Sequence, residues 1–234
     1  MSNILAVIPA RGGSKGIKLK NLKKIGNLSL VAHSIKFLKQ FKNIKRIFVS
    51  TDHDMIIKEC KRFGIDIPFK RPRKISGDLI GDASVLLHAL DKCEKFYSEK
   101  YDVVLMIQPT SPFRTKSSID EVLKKIENQN FDAVWTISKI DTKFHPKKVL
   151  RVNKEKILFF DKLGEKIIAR QQLNDLYHRN GFGYAIKAEF LKKNKKIFSN
   201  KTGFVKTTGN FVNIDTEWDL EIANYLFKKK KMQK

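Results

Sequence analysis

The sequence predicts an α/β fold: a mainly parallel, Rossmann-like sheet with helices on both faces. Two observations support this prediction. Short apolar runs typical of buried strands alternate with helix-like hydrophobic periodicities through residues 1–139. Polar segments follow the ends of several predicted strands, and in parallel sheets ligands bind beyond those carboxyl ends. Alternation of this kind indicates βαβ crossovers, which are right-handed and produce a mainly parallel sheet.

Each element of this first part has its own local pattern. The predicted strands are short apolar runs, and the first of them ends at Pro9, before a glycine-rich loop. The predicted helices repeat apolar residues every three or four positions, and one of them stops before Gly64, a typical helix-ending residue. In chain order we predict strand Ile4–Ile8, helix Leu30–Phe41, strand Arg46–Ser50, helix Met55–Phe63, helix Ala83–Phe96, strand Val103–Ile107, helix Ser117–Ile126 and strand Ala133–Ile137.

The pattern changes in residues 140–182, which we interpret as a small β-rich insertion for dimerisation. Two short β-type runs, Lys148–Val152 and Ile157–Phe160, are separated by charged turns. A sheet of two or three strands cannot cover both of its faces. We therefore expect the insertion, from about Ile140 to His178, to pair with another subunit.

Residues 183–234 are predicted to complete the α/β core. A strand-like run at Gly183–Ile186 resumes the earlier pattern, and a helix at Thr216–Phe227 closes it. The chain then ends in a lysine-rich stretch, Lys228–Lys234. We expect this tail to be frayed and solvated, because terminal segments are poorly ordered unless they are tied down by packing.

The charge of the chain is strongly basic. The 234 residues carry a formal net charge of +24, which raises nucleic acid as a possible partner. Only nine of the 48 basic residues are arginines, and the lysines are scattered over all predicted helices. Such lysines are typical of solvated helix faces, and their excess favours small anionic substrates. A basic nucleic-acid-binding protein remains the alternative from another class.

The cysteines and the hydropathy indicate the compartment. Cys60 and Cys93 lie in apolar helical segments without the spacing of a zinc site or a disulfide framework. No segment approaches eighteen consecutive apolar residues, so we expect no membrane span. We expect a soluble, cytoplasmic protein.

The loop after the first strand is the most informative stretch. Residues 11–21 contain three glycines and three lysines. Glycine lets backbone N–H groups approach anionic oxygens, and Arg11, Lys15 and Lys20 add charge. The loop matches neither the P-loop nor the dinucleotide-binding fingerprint. It predicts a polyphosphate cradle, with a glycine- and lysine-rich surface turn as the alternative.

Other polar segments are weak signals when taken singly. Asp52, Asp215 and Thr216 are equally consistent with helix caps. Tyr184 is also consistent with a core aromatic whose hydroxyl group is satisfied.

Taken together and in order, these segments resemble the acylneuraminate (CMP-sialic acid) cytidylyltransferase family. The resemblance spans nearly the whole chain and implies a fold of the nucleotide-diphospho-sugar transferase type. It is carried by Ile8-Pro9-Ala10-Arg11-Gly12-Gly13-Ser14-Lys15-Gly16-Ile17, Lys20-Asn21, Ser50-Thr51-Asp52, Arg71-Pro72, Asp78, His88-Ala89-Leu90, Gln108-Pro109-Thr110-Ser111-Pro112-Phe113-Arg114, Arg170-Gln171, Asn180-Gly181, Tyr184, Ile214-Asp215-Thr216 and Asp219.

The resemblance implies a reaction and a partner. The anomeric hydroxyl of a nine-carbon 2-keto sugar acid, sialic acid or a legionaminic-type acid, attacks the α-phosphate of CTP, and pyrophosphate leaves. Positioned cations stabilise the charge that develops on the phosphates. The resemblance also implies a homodimer. A nucleotidyltransferase for another sugar acid is the nearest enzyme alternative.

The resemblance also assigns roles to residues. The catalytic residues are Arg11, Lys20 and Asp215. The sugar-binding residues are Gln108, Arg170 and Tyr184. The nucleotide-binding residues are Arg11, Gly12, Gly13, Ser14, Lys15, Lys20, Asn21 and Arg71.

Magnesium is the expected cofactor, with Asp215 and Asn213 as its candidate ligands. The family pattern in this segment is Asp-Ile-Asp, whereas this chain has Asn213-Ile214-Asp215. An amide offers a neutral oxygen in place of a carboxylate, which predicts weaker metal binding. The asparagine at position 213 also leaves open that this chain is a catalytically inactive relative of the family.

Overall fold

A computed structural model describes residues 2–209 and 212–232. Its strands and helices alternate as the sequence predicts for the first part of the chain. In chain order they are β1 (Ile4–Pro9), β2 (Lys24–Ile25), β3 (Leu28–Ser29), α1 (Leu30–Leu38), β4 (Ile44–Ser50), α2 (Asp54–Arg62), α3 (Asp82–Tyr97), β5 (Val103–Met106), α4 (Lys116–Asn128), β6 (Ala133–Lys139), β7 (Leu150–Asn153), β8 (Lys156–Phe159), β9 (Tyr177–Lys187), α5 (Ala188–Asn194), β10 (Thr202–Lys206) and α6 (Glu217–Met232).

The central sheet has six strands in the order β10-β6-β9-β5-β1-β4. β1 pairs in parallel with β4 on one side and β5 on the other, and β10 pairs in parallel with β6. β9 runs antiparallel between β5 and β6. The predicted mainly parallel α/β fold is therefore confirmed.

Helices cover both faces of this sheet. The crossovers from β1 to β4 and from β4 to β5 run in opposite directions across the sheet. Right-handed crossovers then place α1 and α3 on opposite faces. Ile4, Leu5, Ala6, Val7 and Ile8 of β1 are all fully buried, as a strand covered on both faces requires.

The predicted end of the last helix needs correction. The final helix does not stop at Phe227: α6 continues through Lys228 to Met232, where we predicted a frayed tail. Lysine is a good helix former, and its charge is favourable in the last turn of a helix. Gln233 and Lys234 lie outside the described residues. The short hairpin of β2 and β3, helix α5 and strand β10 were not predicted from the sequence.

The segment predicted as an insertion contains a separate two-stranded antiparallel sheet. β7 and β8 form this hairpin, which exposes apolar side chains such as Val152, Ile157 and Phe160. Residues 177–182, which we grouped with the insertion, belong to β9 of the central sheet, since Arg179 pairs with Ile137. In the described part of the chain, no helix is long and apolar enough to span a membrane.

The two cysteines lie in the core. Cys60 of α2 and Cys93 of α3 are free and fully buried. Burial raises the pKa of each thiol to about 12, so both are protonated and unreactive near neutral pH.

Candidate active site

A cavity of about 750 Å³ brings most of the predicted site residues together. It is lined by the loops that follow β1, α2 and β5, by the start of α3, by part of β9 and by the segment before α6. Ten of the predicted residues line it: Arg11, Ser14, Lys15, Lys20, Asn21, Arg71, Gln108, Tyr184, Asn213 and Asp215. Gly12, Gly13 and Arg170 do not.

The glycines of the first loop allow close packing. The N–H group of Gly12 donates to Asp52 Oδ1 (2.8 Å), so it is occupied within the protein rather than aimed at the cavity. A Cβ atom at Gly12 would lie 2.5 Å from the ring of His53, and one at Gly16 would lie 2.3 Å from the carbonyl oxygen of Asp215. Gly13 is exposed with open space around it. Gly12 and Gly16 therefore let the loop pack against neighbouring segments.

The cations of this loop are paired with carboxylates. Arg11 Nη1 lies 2.6 Å from Asp78 Oδ1, and Lys15 Nζ lies 2.9 Å from Asp78 Oδ2. Hydrogen bonds from Lys15 and Arg11 lower the pKa of the Asp78 carboxyl group. On the other side, Lys20 Nζ lies 2.7 Å from Asp215 Oδ1. An anionic ligand here would compete with these carboxylates for the cations.

Arg71 is the buried cation of the cavity wall. Its backbone N–H group donates to Thr51 O (2.7 Å), and the residue is only 5% exposed. Its Nε and Nη2 atoms have no hydrogen-bond partner among the described residues, and burial lowers its pKa. A buried, unpartnered guanidinium group is costly. Arg71 is therefore suited to bind an acceptor group supplied by a ligand.

A second part of the cavity is lined by neutral polar groups. Gly181 has φ +75°, and its N–H group donates to Tyr184 Oη (2.7 Å). A Cβ atom at Gly181 would lie 2.4 Å from Gln108 Oε1, so glycine lets this strand approach the Gln108 side chain. Burial raises the pKa of Tyr184 to about 12, so its hydroxyl group stays neutral.

Behind the cavity, the buried side chain of Arg114 holds the Gln108 loop and strand β9 together. The Arg114 guanidinium group donates to Phe182 O (3.1 Å) and to the backbone oxygen of Gln108. Burial lowers the pKa of Arg114 to about 9. Arg114 thereby positions the Gln108 loop against β9.

Arg170 is not part of this cavity within one chain. It lies on an exposed 3₁₀ turn, Arg170–Gln172, in the segment predicted to reach a second subunit. Arg179 of β9 lines the cavity instead, with its Nη1 atom 3.6 Å from Asp82 Oδ2. Neither Arg179 nor Asp82 was predicted from the sequence. The only signal was that Arg179 precedes the quoted Asn180-Gly181 pair.

Asp215 and Asn213 are neighbours at the opposite wall. Asn213 Nδ2 donates to Asp215 Oδ2 (2.7 Å). Asp215 does not cap α6: Thr216 Oγ1 accepts from the N–H group of Asp219 (3.2 Å), and Asp219 Oδ2 accepts from the N–H group of Thr216 (2.8 Å). The capping alternative for Asp215 is therefore excluded, and the one for Thr216 is confirmed.

The side-chain oxygen atoms of Asp215 and Asn213 suit a metal ion that takes its other oxygen ligands from a bound ligand. Within residues 2–209 and 212–232, no three His, Cys, Asp or Glu side chains cluster as a protein-only metal site. Mg²⁺ is usually held by one or two carboxylates plus substrate phosphates, and it keeps several waters. Asp215, with the amide of Asn213 beside it, fits that mode.

Comparisons with known proteins identify the family. A family model described as cytidylyltransferase matches residues 5–233. The chain is 30% identical to post-translational flagellin modification protein B of Campylobacter coli, over 100% of this chain and 98% of that protein. It is 28% identical to a CMP-N,N'-diacetyllegionaminic acid synthase of Campylobacter jejuni, over 99% and 98% of the two chains.

Solved structures agree on the fold. The CTP complex of a CMP:2-keto-3-deoxy-manno-octonic acid synthetase superposes with a TM-score of 0.71 at 18% identity, over 98% of this chain and 100% of that one. The match of the family model over almost the whole chain agrees with the cation-lined cavity at the strand ends. The chain belongs to the cytidylyltransferase family.

Proposed function

We propose that this enzyme transfers the cytidylyl group of CTP to the anomeric hydroxyl of a nine-carbon 2-keto sugar acid, of the sialic or legionaminic type. The main observation is one cavity whose wall carries cations at one part and, at another, the neutral groups of Gln108 and Tyr184 beside the Asp82–Arg179 pair. The name of the Campylobacter jejuni relative, a CMP-N,N'-diacetyllegionaminic acid synthase, supports the same acceptor class.

The cationic part is suited to the triphosphate. Arg11, Lys15 and Lys20 would exchange their carboxylate partners for phosphate oxygens. The transferred phosphoryl group and the departing pyrophosphate gain negative charge, and fixed cations stabilise that charge most in the transition state. The buried guanidinium group of Arg71 would bind an acceptor atom of the nucleotide. No covalent intermediate with the protein is needed.

The neutral part is suited to the sugar acid. Gln108 offers both an amide N–H₂ group and a carbonyl oxygen, and Tyr184 offers a neutral hydroxyl group. Such groups recognise hydroxyl and N-acyl substituents without a charge penalty. Arg170, on its exposed turn, remains a predicted carboxylate ligand that would act in the cavity of a partner subunit.

Magnesium is the proposed cofactor. Asp215 would hold the ion, with Asn213 contributing its amide oxygen and the phosphates of CTP supplying further ligands. When bound, the ion would neutralise charge on the phosphates and help to orient them. Use of CTP makes the cytoplasm the expected location.

One assay tests the proposal. Pyrophosphate release is measured with CTP, UTP or GTP and Mg²⁺, against N-acetylneuraminic, legionaminic and pseudaminic acids. We expect turnover with CTP and at least one of these acids. Turnover with UTP or GTP in place of CTP, or with none of the acids, would contradict it. Salt-sensitive DNA binding without any turnover would favour the nucleic-acid alternative.

We also predict a homodimer formed through residues 140–178. The β7–β8 hairpin exposes Val152 (75%) and Ile157 (67%), and a two-stranded sheet with apolar side chains is rarely stable alone. Light scattering at micromolar concentration should give twice the mass of the chain.

A matched pair of variants tests the location of this interface. Ile157→Lys should produce monomers and lower activity. Tyr225→Lys, at an equally exposed position on α6, should leave the dimer intact. A fully active monomeric wild type would rule out the dimer.

A further inference from the structure

The proposed reaction needs an acceptor for one proton. The sugar hydroxyl must lose its hydrogen as its oxygen bonds to the α-phosphorus atom. Three carboxylates line the cavity: Asp78, Asp82 and Asp215. A general base must be within reach of the substrate and free of a strong cationic partner. These carboxylates differ in that respect.

Asp78 and Asp215 are already engaged. Asp78 binds Arg11 and Lys15 at 2.6 and 2.9 Å, and Asp215 accepts hydrogen bonds from Lys20 and Asn213, each at 2.7 Å. When CTP binds, Arg11, Lys15 and Lys20 would exchange these carboxylates for phosphate oxygens, so Asp78 and Asp215 would face the triphosphate rather than the sugar hydroxyl. Both groups also lie beside the cations that we assign to the phosphates.

Asp82 is different. It is the first residue of α3, and its side chain is 24% exposed. Among the described residues its cationic partner is Arg179, whose Nη1 atom lies 3.6 Å from Oδ2, beyond normal hydrogen-bond distance. Asp82 also borders a smaller adjoining cavity, together with Lys195 and Lys196.

We propose that Asp82 is the general base of the reaction, taking the proton of the sugar hydroxyl that attacks CTP. The O–H bond breaks as its proton moves to an Asp82 oxygen, and the sugar oxygen forms its bond to the α-phosphorus. The bond from that phosphorus to the bridging oxygen breaks, and its electron pair leaves with pyrophosphate. Protonated Asp82 then releases its proton to solvent. This inference rests on the proposed function.

The electrostatics of the surroundings suit this role. Burial raises the pKa of the Asp82 carboxyl group, and Arg179 opposes that shift. Tyr184, which stays neutral, also interacts with Asp82, and Lys195 and Lys196 line the adjoining cavity with it. A carboxylate whose pKa is raised toward neutrality is a better base than one held far below it.

His178 is the competing base. It lines the same cavity, and its Nδ1 atom lies 3.1 Å from the carbonyl oxygen of Arg179. Its imidazole group is the side chain most often used for proton transfer in enzymes. The experiment therefore compares the two residues directly.

The test is the pH dependence of kcat at saturating CTP and sugar acid, for the wild type, Asp82→Asn and His178→Gln. Wild-type kcat should fall as the pH drops through the pKa of the base, because a protonated carboxyl group cannot accept a proton. Asp82→Asn should lower kcat by about 10²–10⁴-fold. It should also remove the fall of kcat at low pH, which is the acidic limb of the pH profile. His178→Gln should keep the acidic limb.

A third variant tests the electrostatic argument. Arg179→Gln removes the cation that lowers the pKa of Asp82, so the acidic limb should move to higher pH. The inference is overturned if Asp82→Asn keeps both the wild-type kcat and its fall at low pH. It is also overturned if His178→Gln, rather than Asp82→Asn, removes that fall. Circular dichroism and CTP binding separate loss of catalysis from loss of folding. If the wild type itself turns over no sugar acid, the proposed function fails rather than this inference.

Discussion

Replacing Lys20 by alanine is expected to lower kcat by at least ~10²-fold, with a smaller change in KM for CTP. Lys20 Nζ binds Asp215 at 2.7 Å in this structure, and its side chain is only 16% exposed. In the reaction this ammonium group would face phosphate oxygens whose charge grows toward the transition state. Such a contact is stronger in the transition state than in the ground state, so its loss appears in kcat. Steady-state kinetics of pyrophosphate release measures both kcat and the KM for CTP.

Lys18 provides the matched control. It lies in the same loop, is exposed and does not line the cavity. Lys18→Ala removes the same charge from the chain, so it should leave kcat close to that of the wild type. An unchanged kcat with only a raised KM for CTP in Lys20→Ala would limit Lys20 to ground-state binding.

Asp215→Ala is expected to abolish turnover, and Asn213→Asp is expected to lower the Mg²⁺ concentration needed for half-maximal rate. Asp215 is the carboxylate that we assign to the metal, and Asn213 donates a hydrogen bond to it at 2.7 Å. An aspartate at position 213 would place a second carboxylate beside the first. Their repulsion is relieved by a dication, so the affinity for Mg²⁺ should rise.

A second measurement makes this prediction independent of catalysis. In thermal unfolding without nucleotide, added Mg²⁺ should stabilise Asn213→Asp more than the wild type, in which Lys20 already neutralises Asp215. Asn213→Ser is the control that changes the side chain without adding charge. If Asn213→Asp leaves the Mg²⁺ dependence unchanged, or Asp215→Ala retains activity, the phosphates and water must hold the metal.

The proposed Asp82 base depends on the register of β9. Arg179 of this antiparallel strand pairs with Ile137 of β6, and the register shifts between Trp135 and Ile137. Between this pair and that of Trp135 with Tyr184, β9 advances five residues and β6 only two, so Arg179 and Tyr184 both line the cavity although an odd number of residues separates them. No local pattern in the sequence specifies such a register, which is why Arg179 was missed.

Local patterns in the sequence were enough to predict most strands and helices of the first part of the chain. The strand and helix alternation of residues 1–139 follows from the periodicity of apolar residues, which reflects burial on one or two faces. The cationic loop after β1 was also recognisable, because its composition alone suits anions. Family resemblance added the order of the motifs and hence the reaction class.

Which side chains meet depends on the tertiary structure. Lys20 and Asp215 are 195 residues apart in the chain yet lie 2.7 Å apart, and Gly16 is a glycine because the Asp215 backbone packs against it. Arg170, predicted for the same site, lies on an exposed turn outside the cavity. Such contacts depend on how distant segments of the chain pack onto the sheet. The spacing of residues along the sequence does not specify that packing.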